Sequence, residues 1–271
     1  MEAGKSKILF SDLDGTLIFS AKRRRVGDII VDRLRGEPVS CVTPRQAELL
    51  PDMRCIIPVT TRSLEKYRRI RFPEGFSPEY ALCSNGGTLL VNGVPDADWT
   101  SRSLAAYREC ERELERFRGL LENDPDRCFE IQLVDGLFLF TKSENPELSL
   151  ERLGTGEQCE CFAQGRKLFV IPKKLSKGLA VRALAERLGL TRGDIVCAGD
   201  SLVDVSMLNE AGTALFTDNI PSEMVTADIA HRRPQEGFTE FVTEFAMSLK
   251  EPLIKSGAHI AQSDFSADCT K

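Results

Sequence analysis

The chain has 271 residues, 42% hydrophobic and 28% charged, with 36 basic and 41 acidic side chains and a net charge of −5. That profile is ordinary for a globular protein of one large or two moderate domains and excludes a fibre or a disordered chain. The acidic balance argues against general nucleic-acid binding.

The first predicted element is a short buried strand, Lys7 to Ser11, which runs into Asp12-Leu13-Asp14-Gly15-Thr16. Its apolar stretch is far too short for a signal peptide, and no run in the chain approaches the roughly 20 apolar residues of a membrane span. A helix is expected after Pro44, then a strand from Cys55 to Val59 ending at Thr60-Thr61-Arg62. A third strand, Tyr80 to Cys83, ends at Ser84-Asn85-Gly86-Gly87. The texture then changes. Asn92-Gly93 between Thr88–Val91 and Val94 signals a hairpin, and apolar residues from Leu104 to Leu121 recur at helical spacing, predicting a helix that begins near Ser101 or Ser103 and stops before Pro125. Asp135-Gly136 between Phe129–Val134 and Leu137–Phe140 signals a second hairpin. A short helix at Glu147–Leu153 and a strand at Lys167–Ile171 follow. Beyond them come a helix from Gly178 to Leu190, a strand from Ile195 to Ala198 ending at Gly199-Asp200-Ser201, and a strand from Thr213 to Phe216 ending at Thr217-Asp218-Asn219. Strands alternating with helices predict an α/β fold, a Rossmann-like parallel sheet covered on both faces. The hairpins and helices between suggest an inserted α+β domain. The expected division is a core of residues 1–88 and 172–250, a cap of residues 89–171 and a mobile tail of residues 251–271.

In parallel sheets ligands bind at the carboxyl ends of the strands, and here those ends carry Asp12, Asp14, Thr60, Asn85, Asp200 and Asp218. Side chains alternate along a strand, so Asp12 and Asp14 would share one side of the sheet edge, while Asp204 follows Asp200 by one helical turn. Acids converging there would raise one another's pKa values. A magnesium ion removes that conflict, since it takes a few carboxylates, waters and substrate phosphate. Ser176 reads as an N-cap, which puts the cation Lys177 at a helix start. The helix dipole disfavours it there, unless lysine and helix end both face an anion. The nine cysteines give no metal site: Cys55, Cys83 and Cys197 read as core, and Cys159 and Cys161 lack a nearby His or third Cys. A reducing, cytoplasmic location is the expectation. His231 and His259, the only histidines, join no Ser/His/Asp or Cys/His pattern. Lys22-Arg23-Arg24-Arg25 reads as a solvated loop.

Asp12-Leu13-Asp14-Gly15-Thr16-Leu17 resembles the first motif of the haloacid dehalogenase superfamily, Thr60 the second, Lys177-Gly178 the third, and Gly199-Asp200-Ser201-Leu202-Val203-Asp204 the fourth. The resemblance covers about residues 7–245, and Ser84-Asn85-Gly86 before the insertion is similar to the branch that includes Cof-like sugar phosphatases, sucrose-phosphate phosphatase, mannosylglycerate-phosphate phosphatase and phosphomannomutase. It implies a magnesium-dependent phosphatase acting on a small phosphorylated metabolite such as a sugar phosphate, with a cap inserted after the third core strand. Asp12 would be the nucleophile and Asp14 the general acid and base. Magnesium would be held by the Asp12 carboxylate, the Asp14 backbone carbonyl and Asp200, with Asp204 in support. Thr60 and Lys177 would bind the phosphoryl group, and Arg62 and Asn85 would contact substrate or cap. The chain departs from the pattern at Thr61, where many relatives have Gly, and at Val203, where many have Asn. A phosphosugar mutase of the same superfamily and a non-catalytic phospho-metabolite binding or regulatory protein are the alternatives. Dependence on added hexose bisphosphate would mark the first, and absence of turnover the second.

Overall fold

The computed structural model describes residues 7–249; the expected tail at residues 251–271 lies outside them. Five parallel strands form the central sheet in the order Ile229–Arg233, Thr213–Thr217, Ile195–Gly199, Ile8–Ser11, Ile56–Pro58. The apolar runs of the last four fill both faces, as a sheet buried on two sides requires. Ile8 and Phe10 pack with Ile195, Cys197, Ala214 and Phe216 against Val181 and Leu184 of the Lys177–Arg187 helix. Leu9 points the other way with Val196, Ala198 and Leu215, onto the Phe238–Ser248 helix. Leaving Ile8–Ser11, the chain builds Ile56–Pro58 on one side and later Ile195–Gly199 on the other. That divergence opens a crevice at the carboxyl ends of the strands, the usual ligand position in such sheets.

Tyr80–Cys83 departs from its expected place. It touches the parallel sheet through one bridge, Val59 to Leu82, and pairs antiparallel with Thr88–Val91, which pairs in turn with Val94–Pro95. The Asn92-Gly93 hairpin thus belongs to the core: Leu89 and Trp99 pack beside Leu82 and Ala180. The long helix runs from Ala97 to Glu122, earlier than the serines suggested, because Asp96 accepts the Trp99 N–H at 2.8 Å as N-cap.

The cap is a four-stranded antiparallel sheet in the order Cys159–Gln164, Lys167–Pro172, Phe138–Lys142, Gln132–Val134. Its Asp135-Gly136 turn has φ of 47° and 73°, left-handed at both positions, and is closed by the Leu137 N–H donating to the Val134 carbonyl at 2.8 Å. Cys110, Leu114, Phe117 and Leu121 of the long helix pack on Leu139, Leu168 and Val170 of one face, with Leu153 of the Pro146–Leu153 helix. Asp135 also touches the core, its Oδ2 accepting the Leu64 N–H at 2.8 Å and the Ser84 hydroxyl.

Three strands absent from the sequence expectation form a flap after the first motif: Phe19–Ser20, Ile29–Leu34 and Glu37–Val42. Among the described residues no helix is long and apolar enough to cross a membrane.

Candidate active site

Each site residue is set by a strand end or a helix start. Asp12 continues the Ile8–Ser11 strand, its N–H donating to the Ala198 carbonyl at 2.9 Å. Ser201 Oγ, the Ser201 N–H and the Asp200 N–H donate to Asp204 Oδ2 at 3.0, 3.0 and 3.1 Å, tying the loop after Ile195–Gly199 into a tight cap. Asp204 is thus held by the backbone, Ser201 and Lys177. Gly199 is required by this packing, since a Cβ there would sit 2.3 Å from Asp204 Cβ. Gly15 is doubly required. Its φ is +93°, and a Cβ would approach Asp200 Oδ2 to 2.1 Å.

Asp12, Asp200 and Asp204 converge, each with a carboxylate oxygen within 4.8 Å of the others. Lys177, fully buried at the start of its helix, donates to Asp12 Oδ1 at 2.5 Å and to Asp204 Oδ1 at 2.6 Å. Burial pulls the lysine toward neutrality, but Asp12 and Asp204 outweigh it and hold the ammonium above its ordinary value. Burial pushes Asp12 up to about 7 despite Lys177, with Asp204 and Asp14 adding to the rise. Asp200 is pushed up to about 8, by burial and then by Asp12 and Asp204. Its Oδ1 is buried without a hydrogen-bond partner. Hard oxygen donors, one of them orphaned, crowded until they resist ionisation, suit a small divalent cation.

Asp14 lies apart from this trio. Its carboxylate takes a bidentate pair from Arg62, Nε to Oδ2 at 2.7 Å and Nη2 to Oδ1 at 2.6 Å. Arg62 is itself held by the flap, donating to Asp32 Oδ2 at 2.8 Å and to Ser40 Oγ at 2.9 Å. Asp32 also accepts from Arg69 Nε at 2.6 Å. Burial alone would raise the Asp32 pKa, but the hydrogen bonds from Arg69 and Arg62 bring it below the ordinary carboxylate value. Arg62 was expected to contact substrate or cap; here its guanidinium is engaged by Asp14 and the flap. Asp32, Ser40 and Arg69 were missed. The one available signal was an aspartate interrupting the apolar run Ile29-Ile30-Val31.

Thr60 is buried, and its Oγ1 accepts the Arg62 N–H at 3.1 Å, leaving its hydroxyl proton to donate elsewhere. Asn85, at φ 58°, gives its Nδ2 to the Leu175 carbonyl at 3.0 Å while its Oδ1 is buried without a partner. Asp218 caps no part of the trio. Its N–H donates to the Arg233 carbonyl. Asp14 and Asp200 open onto a cleft of about 1500 Å³ between flap, core and cap, whose walls include Lys22, Arg62, Phe129, Phe140 and Lys167.

A crevice of this kind on a capped parallel sheet is the mark of the haloacid dehalogenase-like hydrolases. Within that class, the family model described as sucrose-6F-phosphate phosphohydrolase matches residues 5–238, and the chain belongs to that family. Its fold is similar to that of the sucrose-phosphatase from Synechocystis sp. PCC6803, solved with sucrose and phosphate: 17% identity, 89% of this chain and 98% of that one covered, TM-score 0.62. A haloacid dehalogenase-like hydrolase from Bacteroides thetaiotaomicron gives 17% identity, 89% and 100% coverage, and TM-score 0.54. A curated relative, the HMP-PP phosphatase of Yersinia pseudotuberculosis, is 30% identical over 117 residues, 41% of this chain and 43% of that protein. The chain thus spans less than half the length of that relative.

Proposed function

We propose that this protein is a magnesium-dependent phosphatase that hydrolyses a small phosphorylated metabolite, a sugar phosphate or related ester, through an aspartyl-phosphate on Asp12. The observation that carries the reading is the partnerless, buried Asp200 Oδ1 beside Asp12 and Asp204, with Lys177 bridging the last two. Asp12 and Asp200 would hold magnesium, with Asp204 orienting the loop and the Asp14 carbonyl completing the protein's share. The ion supplies charge neutralisation for the phosphoryl oxygens and favours ionised carboxylates.

Asp12 attacks phosphorus, and the bond to the ester oxygen breaks. The departing alkoxide takes a proton from Asp14, because an unactivated sugar oxygen leaves poorly as an anion. Water, giving its proton back to Asp14, then cleaves the Asp12–phosphorus bond and frees inorganic phosphate. Lys177 and the Thr60 hydroxyl stabilise the transferring group, the electrostatic share of the work. Asp14 is held by Arg62 in this structure, so proton delivery requires its carboxylate, 44% exposed, to turn off Arg62 toward the ester. The cap would cover the cleft and exclude water.

The test is phosphate release from a panel of phosphorylated metabolites and from nitrophenyl phosphate. Turnover should require magnesium and vanish in Asp12→Asn. An Asp12→Asn protein that keeps most of its rate would overturn the covalent route.

A further inference from the structure

The cleft-facing side of the cap carries cations that no carboxylate among the described residues pairs with. Lys142 and Lys167 sit directly opposite each other across the Phe138–Lys142 and Lys167–Pro172 strands. Like charges in such a pair destabilise a sheet. A third, Lys66, comes from the Leu64–Arg68 helix of the core and lines the same cleft. Its ammonium lies 5.2 Å from the Phe140 ring centroid, and that of Lys142 lies 4.7 Å from the Phe129 centroid. Burial, then Lys167, holds Lys66 below its ordinary pKa. Acids do line the cleft, but they are engaged elsewhere or stand off. Glu130 accepts from Gln132, Asp135 from Leu64 and Ser84, and Asp14 from Arg62. Among the described residues no carboxylate comes within ion-pairing distance of Lys66, Lys142 or Lys167. Aromatic rings place these charges but do not cancel them.

We propose that Lys66, Lys142 and Lys167 bind a second anionic group on the substrate, so that the preferred substrates are phosphate esters whose leaving alcohol itself carries a carboxylate or another phosphate. This rests on the phosphatase reading and names its substrate class. Asp14 and Asp200 on the core side and the lysines on the cap side line one continuous cleft, so an ester with charge at both ends spans it. A neutral sugar alcohol would leave the three ammonium groups without a counter-ion.

The experiment compares three esters: glucose 6-phosphate, with a neutral leaving alcohol; 6-phosphogluconate, with a carboxylate; and fructose 1,6-bisphosphate, with a second phosphate. Each is measured by kcat/KM with magnesium and by titration calorimetry on the metal-free protein, where no turnover intervenes. One charged hydrogen-bonded contact corresponds to a preference of about tenfold or more for a charged ester over glucose 6-phosphate. The preference should sit mainly in KM and collapse in the Lys142→Gln/Lys167→Gln double variant. It should weaken in Lys66→Gln, which lies on a different element and guards against a cap that fails to fold, checked by circular dichroism. The two charged esters separate carboxylate from phosphate as the group held. Equal values for all three esters, a preference that survives both variants, or no binding of any ester would overturn the proposal. Selective binding without turnover would uphold it and sink the phosphatase reading; turnover without selectivity would do the opposite.

Discussion

Replacing Lys177 by methionine tests the electrostatic core of the site. The side chain is 2% exposed and bridges Asp12 and Asp204 at 2.5 and 2.6 Å. Methionine keeps most of the volume and deletes the charge. Removing one partner of a buried ion pair costs about 3–5 kcal/mol. Two carboxylates within 4.8 Å, no longer bridged, repel by about 3 kcal/mol at an effective dielectric constant of about 20. These costs do not simply accumulate, because Asp12, already raised to about 7 with the lysine present, takes up a proton instead. The expected loss is therefore about 3–5 kcal/mol at pH 8 in urea unfolding with chelator present. The pH dependence has a definite sign. The folded pKa of Asp12 lies above its ordinary 3.8, so its contribution to stability is full below that value and lost as pH rises through about 7. Without Lys177 that loss is larger, so the gap between variant and wild type should narrow on acidification from pH 8 to 5. Magnesium should restore part of the loss, since a dication replaces the ammonium charge. A variant within about 1 kcal/mol of wild type at pH 8 in chelator, with no narrowing at lower pH, would refute the reasoning.

Three further outcomes follow from the same geometry. Asp14→Asn should lose about a hundredfold or more on alkyl phosphates and much less on nitrophenyl phosphate, whose leaving group needs no proton; equal losses would remove Asp14 from the acid role. Asp200→Ala should raise the half-saturating magnesium concentration at least about tenfold in a metal titration of phosphate release, and an unchanged titration would exclude it as a ligand. Asp32→Asn should cost about 3–5 kcal/mol near neutral pH, because it strips two buried arginine contacts. Its folded pKa is depressed, so the stabilisation is present above the ordinary value near 3.8 and lost as pH falls through the lower folded value. The difference between Asp32→Asn and wild type, read from thermal unfolding across pH, should shrink below about pH 4; a constant difference would count against the ionised pair.

The central sheet was legible because its strands are short apolar runs that stop abruptly at polar residues, and both faces of a parallel sheet must be apolar. The acids at those stops, Asp12, Asp200 and Asp204, proved to be neighbours in space, and Lys177 lies between two of them. Less visible was the flap. Ile29–Leu34 and Glu37–Val42 carry exposed charged residues on one side and a register shift near Asp32, so their alternation is broken. Long-range pairing decided what local pattern left ambiguous. The Asn92-Gly93 hairpin was recognised from its turn and Tyr80–Cys83 as a strand, yet their pairing was not, since a turn fixes only the strands it joins. The Ile229–Arg233 edge strand escaped notice because most of its residues are exposed. Arg62 was found as a residue but not as a member of the Asp14–Arg62–Asp32–Arg69 chain, for no spacing rule connects residues on separate elements.

Asp135 has a bearing on how anything reaches the crevice. Its carboxylate, at the tip of the cap hairpin, grips the Leu64 amide and the Ser84 hydroxyl across the domain seam. The cap is thereby tied to the core at the tip of its hairpin. Two such bonds at a partly wet seam bias the shut position by about 1–2 kcal/mol, which by itself leaves the swung-out form at roughly 3–15% of the molecules. Ligand traffic would then be metered by how often this clasp lets go, and a side chain with no part in bond breaking would set the tempo of the whole cycle.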